Sequence, residues 1–353
     1  MAGTPQRPSE LSASNMCLVL ASTEKTQSIL PADIFPTQSL LATVLIASGI
    51  VSTPAYALSL RSAKLTARDS TLSSPLFPVS PQVEYWTTAT DLPDPIPLSD
   101  ATFNIQNNLD SAADPYVDAP DGELSMQASY PAGSYNVTST PLGGVSFYAL
   151  GPASVNLTTA KEVTFSYSIY FPFRFQFAKG GQLPGLVGGE SDIVNMGCDW
   201  ASPIDRQFCF SMRPMWGADG AGVLFAYVPP EGAASLANQS LPCGTPPYSS
   251  CNGVYVTKPG SLSLFTFETG SRTTVAQRMR LNDVGAENGE LELFVNGESV
   301  ANLGGIVMRA DDGARILGIE MQTFFGGSDS SWASPVDQDA YIADFSVAIT
   351  EML

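Results

Sequence analysis

The chain has 353 residues, 16 Lys and Arg against 34 Asp and Glu, a formal net charge of −18, and no histidine. The missing imidazole excludes Ser-His-Asp and Cys-His catalysis, a histidine general base and histidine-ligated zinc. The acidic balance argues against nucleic acid as a partner, since a phosphate backbone needs a basic surface, while 44% hydrophobic residues suffice for a substantial core.

The first element in the chain is an unbroken apolar run, LLATVLIASGIV, at residues 40–51. It is too short to cross a bilayer as a helix. Pro54-Ala55-Tyr56-Ala57 follows, and Ala55-x-Ala57 is a small-residue cleavage pattern. Together they predict a secretory leader over 1–57, cut after Ala57. The nearest upstream cation is Lys25, so the usual positive cluster is missing. Cleavage removes Arg7, Lys25, Glu10, Glu24 and Asp33, leaving 14 basic and 31 acidic residues. Residues 58–82 are polar and punctuated by proline, the pattern of a linker or ragged terminus. A single domain is expected over 83–353.

Four of the five cysteines lie beyond the leader, an even number suited to an oxidising compartment. Their spacings do not match a CxxC metal site. Sequence-local pairing predicts Cys198–Cys209 and Cys243–Cys251 as disulfides. Asn136-Val137-Thr138, Asn156-Leu157-Thr158 and Asn238-Gln239-Ser240 are candidate N-glycosylation triplets.

From about Tyr85 onward the chain reads as β-strands. ELSMQASY (123–130), VTFSYSIYF (163–171), FCFSMRPMW (208–216), VLFAYV (223–228), TTVAQRMRL (273–281), ELELFV (290–295), ILGIEMQTFF (316–325) and AYIADFSVAI (340–349) alternate or are rich in β-formers. Glycine and proline clusters separate them. The expected fold is all-β, a jelly-roll sandwich of two antiparallel sheets. One hairpin can be registered by pairing residues whose numbers sum to 570. Arg280 then faces Glu290, Arg278 faces Glu292, Met279 meets Leu291 and Val275 meets Val295. That register makes Arg278 and Arg280 a salt-bridged face rather than an anion site.

In FCFSMRPMW the alternation points Phe208, Phe210 and Met212 one way, and Ser211 and Arg213 the other. In VLFAYV, Phe225 and Tyr227 share a face. The turn GADGAG joins the two strands as a hairpin, so Ser211, Arg213, Phe225 and Tyr227 are expected on one surface. Lys179 precedes them in the glycine-rich stretch AKGGQLPGLVGG, where a backbone can approach a ligand closely. This set suits an acidic sugar. Spacing alone equally allows Arg213 to pair with a nearby carboxylate, Tyr227 to pack at an edge and Lys179 to decorate a loop.

Five blocks in order, VTFSYSIYFPFRFQFAKGGQLPGLVGG, CFSMRPMW, LFAYVPP, TTVAQRMRLNDVGAENGELELFVNG and GIEMQTFFGGSDSSWASPVDQDAYIADF, resemble polysaccharide lyase family 14, especially its fungal members. The likeness spans roughly 85–353. It implies a jelly-roll enzyme that cleaves alginate or glucuronan by β-elimination on a concave sheet face. It also implies catalytic roles for Lys179, Ser211, Arg213 and Tyr227. Phe225, Arg174, which adds to the positive charge near Lys179 and Arg213, and Gln322 are the expected substrate-binding residues. The family's first tyrosine position holds Phe225 here, so one hydroxyl is lost.

In that scheme Arg213 neutralises the uronate carboxylate. Lys179 and Tyr227 share the base and acid roles, which stay unassigned between them; their ordinary pKa values are about 10.4 and 10. No metal or cofactor is required. The expected partner is an acidic polysaccharide, bound by a monomer free of membrane once the leader is removed. The competing reading is a weakly catalytic carbohydrate-binding protein using the same groove.

Overall fold

A computed structural model describes residues 72–108, 115–190, 198, 206–229, 254–258, 260–327 and 329–353. The predicted leader, Cys243, Cys251 and Asn238 lie outside these residues. The strands in chain order are β1 (Glu84–Thr87), β2 (Ile105–Asn108), β3 (Tyr116–Asp118), β4 (Leu124–Tyr130), β5 (Val145–Ala149) and β6 (Ala160–Tyr170). Next come β7 (Gly180–Gln182), β8 (Gly185–Gly189), β9 (Cys209–Gly217), β10 (Ala221–Tyr227), β11 (Val254–Val256) and β12 (Phe265–Thr266). The last are β13 (Arg272–Arg280), β14 (Gly289–Val295), β15 (Glu298–Ile306), β16 (Arg315–Phe325) and β17 (Gln338–Met352). One short helix, α1 (Asp100–Phe103), is capped by the Ser99 side chain.

The strands form two antiparallel sheets stacked as a jelly-roll sandwich, as the alternation predicts. The first runs β15-β14-β13-β6-β17-β4-β3, with β1 also on β17. The second runs β11-β10-β9-β7-β16-β5-β2; β12 pairs β10, and β8 joins β7 between β9 and β16. All eight predicted strands are present, with ends shifted by up to three residues. The β13–β14 register is the predicted one: Arg280 faces Glu290, Arg278 faces Glu292 and Met279 faces Leu291. The pattern holds because one face of each strand is core, and a one-residue slip would turn every side chain over.

The main core lies between the sheets. Phe165, Tyr167 and Ile169 of β6 meet Met212 and Trp216 of β9 and Met321 of β16. Two polar groups of the first sheet reach through it. Tyr167 Oη and Gln277 Nε2 both donate to the Pro184 carbonyl, at 3.1 and 2.8 Å. They thereby hold the corner between β7 and β8, on which the candidate site depends.

Residues 72–82, read from sequence as the end of a linker, are packed. Phe77 is buried and joins Leu76, Ala89 and Ala348 in a small cluster on the outer face of the first sheet. Gln82 ties the segment down, accepting from the Leu72 amide at 3.0 Å and donating to the Leu72 and Val79 carbonyls. Proline punctuation marked a break in regular pairing; it did not mark loss of burial.

The predicted salt-bridged face forms with a larger cast. Arg278 contacts Glu162 at 2.5 Å, Glu290 at 2.7 Å and Glu292 at 3.3 Å. Arg280 turns to Glu351 at 2.9 Å instead of its opposite number Glu290. The neighbouring strands β6 and β17 bring Glu162 and Glu351 alongside, and the guanidinium forks take the diagonal carboxylates. Partial burial acts to lower the Arg278 guanidinium, but Glu162 and Glu290 outweigh it and raise it.

Candidate active site

The face of the second sheet turned away from the first carries the site. On β9 the side chains of Phe210, Met212 and Trp216 enter the inter-sheet core, while Cys209, Ser211, Arg213 and Met215 lie on the outer side. Phe208 departs from the predicted alternation. It sits in a single 3-10 turn, Arg206–Phe208, just before the strand and is 47% exposed. On β10, Val223, Phe225 and Tyr227 take the outer side. The β9–β10 hairpin places Tyr227 opposite Ser211 and Phe225 opposite Arg213. These four predicted residues therefore share one surface, as their alternation requires.

The four side chains are buried. Arg213 and Ser211 have no exposed area, and Phe225 and Tyr227 are nearly as buried. They belong to a second hydrophobic cluster with Tyr148, Val187, Cys198 and Cys209, separate from the core between the sheets. Cys198 and Cys209 are disulfide-bonded, with Cα atoms 5.8 Å apart. Through this bond Cys198 is held over β9, and its carbonyl accepts from Ser211 Oγ at 2.6 Å.

Arg213 makes a buried ion pair. Its Nη1 donates to Glu320 Oε1 at 2.8 Å and to Gln182 Oε1 at 2.9 Å. Glu320 Oε1 also accepts from Tyr148 Oη at 3.3 Å. Arg213 starts on β9 and Glu320 stands on β16, with β8 between them; Gly185 is the β8 residue opposite Glu320. A Cβ on Gly185 would lie 2.5 Å from Arg213 Cγ and 2.0 Å from the Met212 carbonyl oxygen. The arginine stem passes over this bare backbone to reach its carboxylate. Both partners are fully buried, where such a pair is worth keeping only with good hydrogen bonds. The carboxylate partner that spacing alone allowed is therefore present, on the same surface as the predicted site.

Gln322 lies two residues beyond Glu320 on the same face of β16, opposite Ser146 of β5. Both side chains are buried, and Gln322 Oε1 and Ser146 Oγ have no hydrogen-bond partner among the described residues. Such groups are costly unless something satisfies them, which suits contact with a polar ligand.

Lys179 stands just before β7, three residues from Gln182, about 10 Å along an extended chain. Its ammonium is exposed, donates to Ser331 Oγ at 2.6 Å and lies 5.8 Å from the Trp332 ring centre. Ser331 in turn donates to Asp329, whose carboxyl is held down by that hydrogen bond, the Ser331 amide and the nearby Lys179 charge, against a small desolvation. Trp332 packs above Gly180, so Lys179 occupies the rim at the β7 end of the surface. Its described contacts join it to Ser331 and Trp332, not to Arg213.

Arg174 is on an exposed turn with φ 73°. Its guanidinium lies 5.7 Å from the Phe173 ring centre. The structure gives it no contact with the outer-face cluster. Asn136 and Asn156 sit in turns, each accepting with Oδ1 from the hydroxyl of its own triplet threonine, Thr138 and Thr158.

Glu320, Gln182 and Tyr148 are the site residues that sequence reading missed. Glu320 had a signal, since it alternates with Gln322 on a strand whose other face is plainly core. Tyr148 had none of that strength, because VSFYA is short and β5 was not predicted.

The fold is a two-sheet antiparallel β-sandwich, and the family match gives its class, a polysaccharide lyase. The model of the family Polysaccharide lyase 14 matches residues 118–345, and the chain belongs to that family. No curated protein matches it. Among solved structures it is similar to the marine alginate lyase of Aplysia kurodai, at 27% identity over 64% of this chain and 82% of that one, with a TM-score of 0.53. The alginate lyase of a Chlorella virus is 22% identical over 70% of this chain and 93% of that one, also with a TM-score of 0.53. Among the described residues no helix is long and apolar enough to cross a membrane.

Proposed function

We propose that this chain is a secreted lyase that cleaves a polyuronate by β-elimination, with the outer face of the second sheet as its active site. The observation that carries the reading is the cross-strand block Ser211–Tyr227 and Arg213–Phe225 on a single face in a family 14 chain. Alginate, the substrate named for the Aplysia kurodai and Chlorella virus enzymes, and glucuronan are the polymers to try first.

The chemistry follows from the substrate. The C5 proton of a uronate is weakly acidic because the adjacent carboxylate is already negative. Arg213 offsets that charge and stabilises the enolate-like intermediate. Lys179 and Tyr227 divide the removal of the C5 proton and the protonation of the leaving O4. Ser211 orients the sugar once its hydroxyl leaves the Cys198 carbonyl. Gln322 and Phe225 line the same face, and Arg174 meets the bound chain away from that face, on its exposed turn. The net negative charge does not forbid a polyanion, because screening over about 8–10 Å mutes distant charges.

The test is incubation with a panel of polyuronates, read by the ultraviolet absorbance of the C4–C5 double bond conjugated to the carboxylate. Hydrolysis leaves no such chromophore. Arg213→Ala, compared per folded molecule, should lower the rate by about 10²–10³, equivalent to about 3–4 kcal/mol. No unsaturated product from any polyuronate would sink the lyase reading.

A second reading has its own observation. Arg213 is already paired with Glu320, Ser211 with a carbonyl, and Phe225 offers no hydroxyl. A carbohydrate-binding protein of weak activity fits that arrangement, and binding without turnover would select it. Secretion with cleavage after Ala57 belongs to the same proposal, as do the Cys243–Cys251 bridge, glycosylation at Asn136, Asn156 and Asn238, and a monomeric state. N-terminal sequencing of protein from the medium tests the cleavage; an intact leader in a cytosolic fraction refutes it.

A further inference from the structure

Three adjacent strands place one residue each in a single row across the outer face. Arg213 on β9 faces Phe225 on β10, which faces Tyr255 on β11. The Arg213 guanidinium carbon lies 5.4 Å from the Phe225 ring centre, and the Tyr255 ring lies 5.0 Å further along, tilted by 52°. Directly opposed side chains on one face are the contacting unit of a sheet. Phenylalanine has no polar tip, so the phenol of this row is that of Tyr255. The ring is half-buried against the cluster that holds Phe225 and Tyr227.

The electrostatics of the row agree with the geometry. Burial pushes the Tyr255 phenol up to about 12, with the Arg213 charge pulling it partly back. The group stays protonated through the neutral range, and so acts as a hydrogen-bond donor and not as a base. Arg213, for its part, has Nη1 shared between Glu320 and Gln182. A second donor, across the Phe225 ring in the same row, has work to do where negative charge develops.

We propose that Tyr255 contacts the substrate as a hydrogen-bond donor, sharing with Arg213 the carboxylate of the uronate whose C5–H bond breaks. This assignment rests on the polyuronate-lyase reading. In the elimination the base takes the C5 proton and that electron pair becomes the C4–C5 double bond. The C4–O4 bond breaks with its pair on the leaving oxygen, which receives a proton from the acid. Charge spreads transiently from C5 into the carboxylate. Tyr255 donates a hydrogen bond to that oxygen and keeps its own proton, so the balance of the reaction is unchanged.

The experiment compares wild type, Tyr255→Phe, Phe225→Tyr and the double variant, on the polyuronate the wild type cuts fastest. Tyr255→Phe retains the ring and should melt like wild type, yet lose about 10²-fold in kcat with KM little moved, the effect of removing one oxyanion donor. Phe225→Tyr alone adds a phenol beside the one Tyr255 supplies, and should raise kcat by a smaller factor than it does in the Tyr255→Phe background. In the Tyr255→Phe background it should restore most of the lost kcat, since it returns a phenol to the row one strand away, about 4.8 Å. If Tyr255→Phe melts early, the double variant decides, because recovered kcat supports the assignment and unrecovered kcat overturns it. A Tyr255→Phe protein at wild-type kcat overturns the Tyr255 assignment and leaves the lyase reading intact. A wild type that forms no unsaturated product overturns the lyase reading and this assignment with it.

Discussion

The two sheets each present Arg–Glu pairs on their outer faces, and the two faces could hardly differ more. On the first sheet, Arg278 and Arg280 share Glu162, Glu290, Glu292 and Glu351 in a partly exposed lattice. Each arginine has more than one carboxylate nearby, and Glu290 and Glu351 can turn to water while Glu162 and Glu292 are buried beneath the guanidinium groups. On the second sheet, Arg213 and Glu320 are both fully buried. One carboxylate there balances one guanidinium, with Gln182 and Tyr148 as the neutral partners. Exposed pairs contribute little to stability because water competes for both ions. A buried pair has been stripped of water and becomes expensive when either partner is lost. The contrast separates a face whose charges are shared and partly wet from a face whose two charges depend on each other.

Breaking the buried pair should have the largest effect. Glu320→Ala leaves the Arg213 charge buried without its carboxylate, and a loss of about 3–5 kcal/mol is expected in denaturant unfolding. A loss below about 1 kcal/mol would show that the face is open to water in solution. Replacing the pair by Arg213→Met with Glu320→Leu sharpens the point. Stability should return towards that of wild type, because the desolvation cost disappears with the charges, while the lyase rate should fall by about 10²–10³, as for Arg213→Ala.

The matching cut on the other face should be mild. Arg278→Ala removes one member of a shared network and should cost about 1 kcal/mol or less, with lyase activity unchanged. The measured loss should shrink in high salt, since these charges are partly exposed. A cost equal to that of Glu320→Ala would erase the distinction between the faces.

The smallest expected effect is confined to acid. The hydrogen bonds from Lys161 and Asn288 and the Lys161 charge lower the Asp283 carboxyl from 3.8 to about 2. A depressed carboxyl stabilises the fold above its unfolded pKa and loses that contribution as pH falls through its folded pKa. The window is therefore from about pH 4 down to about pH 2. Asp283→Asn should flatten the fall in stability across that window and leave the curve at neutral pH nearly parallel to that of wild type. An unaltered acid limb would refute the coupling.

How much was legible in the sequence follows from what is local. The β13–β14 register could be read because both strands, their turn and their core residues lie within one short stretch. The outward set Ser211, Arg213, Phe225 and Tyr227 was legible for the same reason, as alternation within one hairpin. What could not be read was the partner of Arg213. Glu320 lies 107 residues away on a strand that never pairs directly with β9 at that level. Its role depends on β7 and β8 sharing the gap between β9 and β16. Tyr255 was missed because β11 is only three residues long, too short for alternation to show. The fate of residues 72–82 was hidden because their burial is against the distant Ala348 of β17.

Gly185 gives the site an unusual grammar. Elsewhere on this face the contacts are made by groups that side chains supply, but here the room for one is made by a missing group. An alanine scan, which subtracts atoms from most side chains, would add one at this point, 2.0 Å from a backbone oxygen and in the path of the Arg213 stem. The smallest possible enlargement of the sequence thus meets a backbone that Tyr167 and Gln277 already hold in place through Pro184. A mutational survey of this surface would therefore find one of its least permissive positions at a residue with no chemistry of its own.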